Sequence, residues 1–190
     1  MGGITNKKEF VGMQNFKTLL GDRNFLEAMQ NSIVIIVMVT ICTIFLAVLF
    51  AALLSRGNFK GKNIFRVIFY IPNILSIVVI AGIFGAIYDP SNGLLNTFLR
   101  AIHLDGLAHQ WMGDPKIVLY SVIFALVWQA IGYYMVMYMA SMAAIPEDLY
   151  EAASLDGSTE IQTFFKVTLP LIWTNIRTTL TFYIISTINL

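Results

Sequence analysis

The chain has 190 residues, a net charge of +1, 57% hydrophobic residues and only 12% charged ones. An average soluble domain carries about 25% charged residues. Half that density, with a mean hydropathy of +0.73, excludes an ordinary soluble globule and a disordered chain. The near-neutral balance excludes a basic nucleic-acid binder, and the single cysteine, Cys42, excludes an intrachain disulfide framework and a cysteine-rich zinc site.

Residues 1–31 hold Lys7, Lys8, Glu9, Lys17, Asp22, Arg23 and Glu27 and no apolar h-region, so they are not a signal peptide. Phe10, Met13, Phe16, Leu19 and Leu20 lie near helical spacing and predict an amphipathic surface segment. The remainder, 32–190, reads as a membrane core. A helix needs about 20 apolar residues to cross the hydrocarbon, and the stretches 32–54, 67–88, 117–145 and 169–190 meet or approach that length. The first is uncharged, and Cys42 within it reads as a small apolar side chain. The second contains Pro72, Gly82 and Gly85, with Pro72 expected to kink it near one end. The third is too long for one straight crossing and is expected to tilt. The fourth carries Arg177, close enough to one end to snorkel outward. The expected fold is an all-α, polytopic membrane helix bundle.

The connection 55–66 holds Arg56, Lys60, Lys62 and Arg66 with no acid, which marks it as cytoplasmic. Alternation then puts 89–116 outside, with His103 and His109 as surface residues, 146–168 inside and 1–31 outside. An outside start implies a further helix ahead of it that is not in this chain.

The inner connection carries the most information. Pro146 suits a first helical position, and Glu147 and Asp148 favour the positive end of a helix dipole. Gly157 suits a left-handed helix terminator, and Asp156 before it reads equally as a cap or a contact. Thr159 and Gln162 fit a capping box for a second short helix. Phe164, Phe165 and Val167 are placed to pack it back on the bundle, and Pro170 is expected to begin the last span. Ala152, Ala153 and Gly157 make a smooth patch for close backbone approach, with Glu151 beside it to fix orientation. On composition alone the same residues describe a plain soluble connector.

Glu151-Ala152-Ala153, then Gly157, then Val167-Thr168-Leu169-Pro170 resembles the cytoplasmic EAA motif of permease subunits of binding-protein-dependent ABC importers. Val167 stands where Ile is usual. Asp156-Gly157, Gln162-Thr163-Phe164, Gly93-Leu94-Leu95-Asn96, Ile145-Pro146-Glu147 and the segment from Phe10 to Phe16 are similar to the sugar-importing, maltose- and glycerol-phosphate-type branch. The resemblance implies an ABC importer type I permease in the cell membrane. It implies a coupling helix formed by Glu151, Ala152, Ala153, Asp156 and Gly157, docked on a separate ATPase dimer that holds the ATP and Mg. It further implies a second permease subunit and an extracytoplasmic substrate-binding protein. Subunits of this branch usually have about six spans. This chain accounts for four, which reads as a fragment or an inactive truncated form.

A path for such a cargo needs polar and aromatic residues on one face of the last two spans. Gln129 and Tyr133 are spaced i, i+4 on the third, and Tyr183 and Thr187 on the fourth; Asn73 and Ser76 on the second are weaker candidates. Each reads equally as a helix–helix hydrogen-bonding group. A sugar is the expected cargo by resemblance alone, with a polyol, glycerol phosphate or a peptide as alternatives. The chain has no phosphate-binding Gly-rich loop ending in Lys-Ser or Lys-Thr, no His-Glu-x-x-His and no Gly-x-Ser-x-Gly, so it is expected to be a transport subunit without its own catalytic site, cofactor or metal. A secondary transporter is disfavoured because the spans hold no acids for a coupling ion, and a membrane scaffold would not explain the loop.

Overall fold

The computed structural model describes residues 12–56 and 61–188, with side chains for 12–55 and 61–186. Expectations resting on Phe10, on Lys60, and on the side chains of Arg56 and Thr187 lie outside the described residues. The described chain is helical, with no strand among these residues.

Contacts divide it into two units, 1–35 and 36–190. In the first, α1 (Gln14–Gly21) presents Phe16 and Leu20 as exposed apolar side chains and ends where Asp22 turns extended. The Asp22 carboxylate accepts the Asn24 amide at 2.9 Å, the N-cap that starts α2 (Arg23–Arg56). In the second unit α2 continues from Ile36. After it come α3 (Lys62–Ile74), α4 (Ile77–Ile87), α5 (Leu94–Ala101), a 3₁₀ turn at Asp105–Leu107, and α6 (Val118–Ala143). The chain then forms α7 (Glu147–Leu155), α8 (Glu160–Thr163), a π-helical turn at Phe164–Thr168 and α9 (Leu169–Ile188).

Two helices, Arg23–Ser55 and Val118–Ala143, are long and apolar enough to cross a membrane singly. The stretch 67–88, expected as one span kinked near an end, is two helices meeting at 105°. Two causes converge at the break. Pro72 has no amide hydrogen and frees a carbonyl of the preceding turn. Ser76 then restarts the helix as an N-cap, its hydroxyl accepting the Val79 amide at 3.4 Å. α9 is helical throughout, but Arg177, Asn175 and its threonines lower its apolarity below that of the other two.

One buried cluster joins Ala47, Ala51 and Leu54 of α2 to Met135, Tyr138, Met139 and Met142 of α6 and to Ile172 and Ile176 of α9. Lipid tails are as apolar as these side chains, so close packing and polar bonds must hold the helices together. Ala47 and Ala51 are fully buried and let α2 approach closely. Buried hydroxyl pairs add the polar bonds: Thr43 with Tyr183, and Tyr138 with Thr179. A second cluster, Ile80, Phe84 and Tyr88 with Trp111 and Trp128, closes the opposite end.

That end is organised by Asn96, only 2% exposed. Its amide nitrogen donates to the carbonyls of Pro90 (3.3 Å) and His109 (3.0 Å), and its oxygen accepts the Trp111 indole N–H at 2.8 Å. Tyr88 donates to the Ser121 carbonyl at 3.1 Å, tying α4 to α6. His109 is exposed as expected, yet its backbone and ring are built into this network, the ring lying edge-on to Trp111.

Trp111→Phe keeps an aromatic ring but leaves the buried Asn96 oxygen without its donor, which costs about 1–3 kcal/mol. A fluorescence-detected melting curve in detergent should fall by several degrees. Trp173→Phe, at a half-exposed position on α9, should leave it within error.

Candidate functional site

The loop between α6 and α9 folds by local rules. Pro146 sits at the N-cap of α7, one position before the first helical place expected for it, with Glu147 and Asp148 in the first turn. Gly157 ends the helix at φ +74°. Ser158 donates its amide to the Ala153 carbonyl and Gly157 to Ser154, both at 3.0 Å, the two bonds of a Schellman cap. A residue with a Cβ pays about 1–2 kcal/mol at such a φ, so the turn calls for glycine. The capping box of α8 is complete: Thr159 donates its amide to Gln162 Oε1 at 2.9 Å, and Gln162 donates its own to Thr159 Oγ1 at 3.3 Å.

Two expectations are corrected here. Ala153 is buried, at 9% exposure, and faces its own fold, so it does not contribute to an outward smooth patch. The outward surface is built from Glu151, Ala152, Asp156 and Gly157, all exposed, together with two apolar side chains the sequence reading passed over, Leu155 at 89% and Ile161 at 72% exposure. Both were legible as apolar residues flanking the glycine, but only the fold shows which way they turn. Second, Pro170 does not begin the last helix. Helical backbone runs without interruption from Glu160 through α9. Around the proline the turn widens to π, with Leu169 donating to Phe164 five residues back. That widening absorbs the ring and the missing amide hydrogen. The Tyr150 and Thr168 hydroxyls lie 3.2 Å apart and tie α7 to this turn.

Within the bundle, Gln129, Tyr133 and Tyr183 line one cavity of about 360 Å³. Asn73, the weaker candidate, lines it as well; Ser76, which caps α4, is not among its lining residues. Tyr134 and Ser186 complete its polar and aromatic wall, and Val39, Leu126 and Ala130 its apolar one. Ser186 is three residues beyond Tyr183, so the helical spacing that picked out Tyr183 and Thr187 also contains it. The rings form a chain: Tyr133 to Tyr134 at 5.1 Å and Tyr134 to Tyr183 at 4.9 Å, both edge-on. Tyr183 is also a bonding partner between helices, its hydroxyl 3.3 Å from that of Thr43.

The cavity has a floor the sequence did not announce. Gly132 is buried on α6 against the backbone of α3: a Cβ built on it would fall 1.8 Å from the Phe69 carbonyl oxygen. Phe69 stacks in turn on Phe50 of α2, with ring centroids 4.9 Å apart.

The family profile described as "Binding-protein-dependent transport system inner membrane component" matches residues 43–190. The chain belongs to that family. It is 41% identical to the probable ABC transporter permease protein YurN of Bacillus subtilis, over 86% of this chain and 56% of the relative. It is 32% identical to the sn-glycerol-3-phosphate transport system permease protein UgpA of Escherichia coli, over 86% of this chain and 54% of that one. Among solved structures it is similar to a chain of a bacterial alginate ABC transporter in complex with an alginate pentasaccharide-bound periplasmic protein. That likeness has a TM-score of 0.84 and 28% identity, and covers 91% of this chain and 60% of that one. The chain thus spans about half the length of the curated relatives it matches. With the family shown and its apolar helices in place, it is an integral membrane protein of the all-α permease fold.

Cysteine placed at Gln129 or Tyr133 in a Cys42→Ala background should react with a small water-soluble thiol reagent in intact membranes. Cysteine at the fully buried Tyr138 should not. Equal protection at all three positions would show that the cavity is closed to water.

Proposed function

We propose that this chain is a transport permease subunit of an ATP-driven sugar importer in the cell membrane, working beside a second permease, a separate ATPase dimer and an extracytoplasmic binding protein. The observation that carries this reading is mechanical. The exposed tip around Leu155, Gly157 and Ile161 leads through unbroken helix from Glu160 into α9, whose Tyr183 forms the cavity wall. A helix transmits displacement along its axis at about 1.5 Å per residue. A push on the tip therefore moves the cavity wall rather than dissipating in a loop.

In this reading Leu155 and Ile161 enter an apolar cleft on the ATPase, a helix-in-groove contact, and Glu151 and Asp156 orient it by charge. ATP and Mg belong to that partner, and closing of its dimer draws the coupling loops together. This chain contributes geometry: it holds the loop, carries the motion and shapes the cavity.

The cavity favours a neutral polyhydroxylated cargo. Tyrosine rings suit the C–H faces of a sugar, while the amides of Asn73 and Gln129 and the Ser186 hydroxyl suit its O–H groups. The described lining holds no charged side chain, which supports a sugar or polyol over glycerol phosphate, because an unpaired anion in a dry site is costly.

A tagged copy purified in mild detergent from its own host should bring down an ATPase with a phosphate-binding loop and a second permease bearing the same loop motif. Leu155→Asp and Glu151→Lys, both at exposed positions, should leave membrane insertion intact while lowering ATPase recovery and sugar uptake at least tenfold. Gln129→Leu should raise KM for uptake with less effect on kcat. Recovery of the chain alone, or normal uptake by both loop variants, would overturn the coupling assignment.

A further inference from the structure

The closest backbone approach of α6 to α3 lies at the foot of the cavity. A Cβ at Gly132 would fall 1.8 Å from the Phe69 oxygen, 2.3 Å from its carbonyl carbon and 2.8 Å from the Tyr70 nitrogen. All three are backbone atoms and none can rotate away. Adding a methyl group would require the two helices to part by roughly 1 Å or more, because packed interiors hold no slack for it. Phe69 has no room to retreat freely, since its ring is backed by Phe50 of α2 at 4.9 Å.

The positions next to this contact on both helices are cavity residues. On α3, Asn73 lies four residues beyond Phe69, one turn further along the same face. On α6, Gln129 lies three residues before Gly132, on the turn that approaches Asn73, and Tyr133 follows Gly132 directly. The distance between the amide on α3 and the amide and phenol on α6 is therefore set one turn away, by a contact with no side chain in it.

We propose that Gly132 is a specificity-determining positioning residue: its contact with the Phe69 backbone fixes the width of the cavity and so the size of cargo the subunit accepts. Gly132 itself touches no cargo. The proposal rests on the reading of this cavity as the cargo site. The required residue is the one that lacks a side chain, and even alanine widens the site. The glycines of α4 differ: a Cβ on Gly82 meets nothing within 4 Å, so substitution there leaves the spacing alone.

The test uses the assembled transporter in proteoliposomes, with Gly132→Ala compared against Gly82→Ala and the unaltered protein. Spacing is read without transport, as the rate of disulfide formation between cysteines at Asn73 and Gln129 in a Cys42→Ala background. Selectivity is read as the ratio of kcat/KM for a monosaccharide to that for a disaccharide. Gly132→Ala should slow cross-linking at least fivefold and shift the ratio at least fivefold toward the larger sugar. Gly82→Ala should change neither.

Unchanged cross-linking in Gly132→Ala would overturn the proposal, and the cavity reading would still stand if Gln129→Leu raises KM. Slowed cross-linking with an unmoved ratio would overturn the link to selectivity, and with an unmoved KM in Gln129→Leu it would remove the cavity from the cargo path. Should Gly132→Ala fail to assemble, Phe50→Leu provides the second variant. It takes away the ring that backs Phe69, so the ratio should move in the same direction by a smaller factor; an unmoved ratio there overturns the proposal.

Discussion

Where Gly132 of α6 meets the carbonyl of Phe69 on α3, two backbones touch with no side chain between them. Much of the bundle is arranged around that contact. Phe69 leans on Phe50, which brings α2 into the same packing unit. Below it lies the cluster joining α2, α6 and α9, with the buried alanines 47 and 51 and the methionines of α6. Above it the helices diverge and the cavity opens. In a lipid phase the apolar side chains gain little by meeting one another rather than lipid. Close backbone approach and buried hydroxyl pairs then carry the association, and a small residue at the right turn matters more than a large one.

The broken second stretch follows from a different constraint. Inside the hydrocarbon every backbone group needs a partner, so a sharp bend is stable only if the ends of both pieces are satisfied. Ser76 supplies an acceptor at the start of α4, and α3 ends with Leu75 donating back to the Pro72 carbonyl. The elbow thereby turns α4 toward the network of Asn96, Trp111, Tyr88 and Ser121, where polar side chains replace lipid-facing ones. The same groups that cap the bundle at this end leave the polar face of α6 free to line the cavity.

At the opposite end, the inner loop joins two behaviours in one short segment. Its turn is rigid, held by the Schellman cap at Gly157 and the capping box of Thr159 and Gln162, while its outer surface is apolar and exposed at Leu155 and Ile161. Rigidity and exposure together fit a part that another protein grips. The π turn before Pro170 lets the helix pass the proline without a break, so the loop and the cavity wall belong to one rod.

The sequence by itself determined the class of the molecule and the local geometry of its loop. Long uncharged runs can be satisfied only as helices in lipid. A capping box or a left-handed glycine depends on residues three or four apart and so is visible in a linear string. Helical spacing also grouped Gln129 with Tyr133, because one turn puts i and i+4 on one face. Only the tertiary structure decided that these residues, Asn73 and Tyr183 share one cavity, that Ala153 turns inward while Leu155 turns out, and that the stretch 67–88 bends at 105°. It alone made Gly132 the residue that sets the spacing of two helices, since the atom it must not carry would clash with a backbone 63 residues away in the chain. Such contacts depend on how helices meet, and no periodicity within a single helix encodes them.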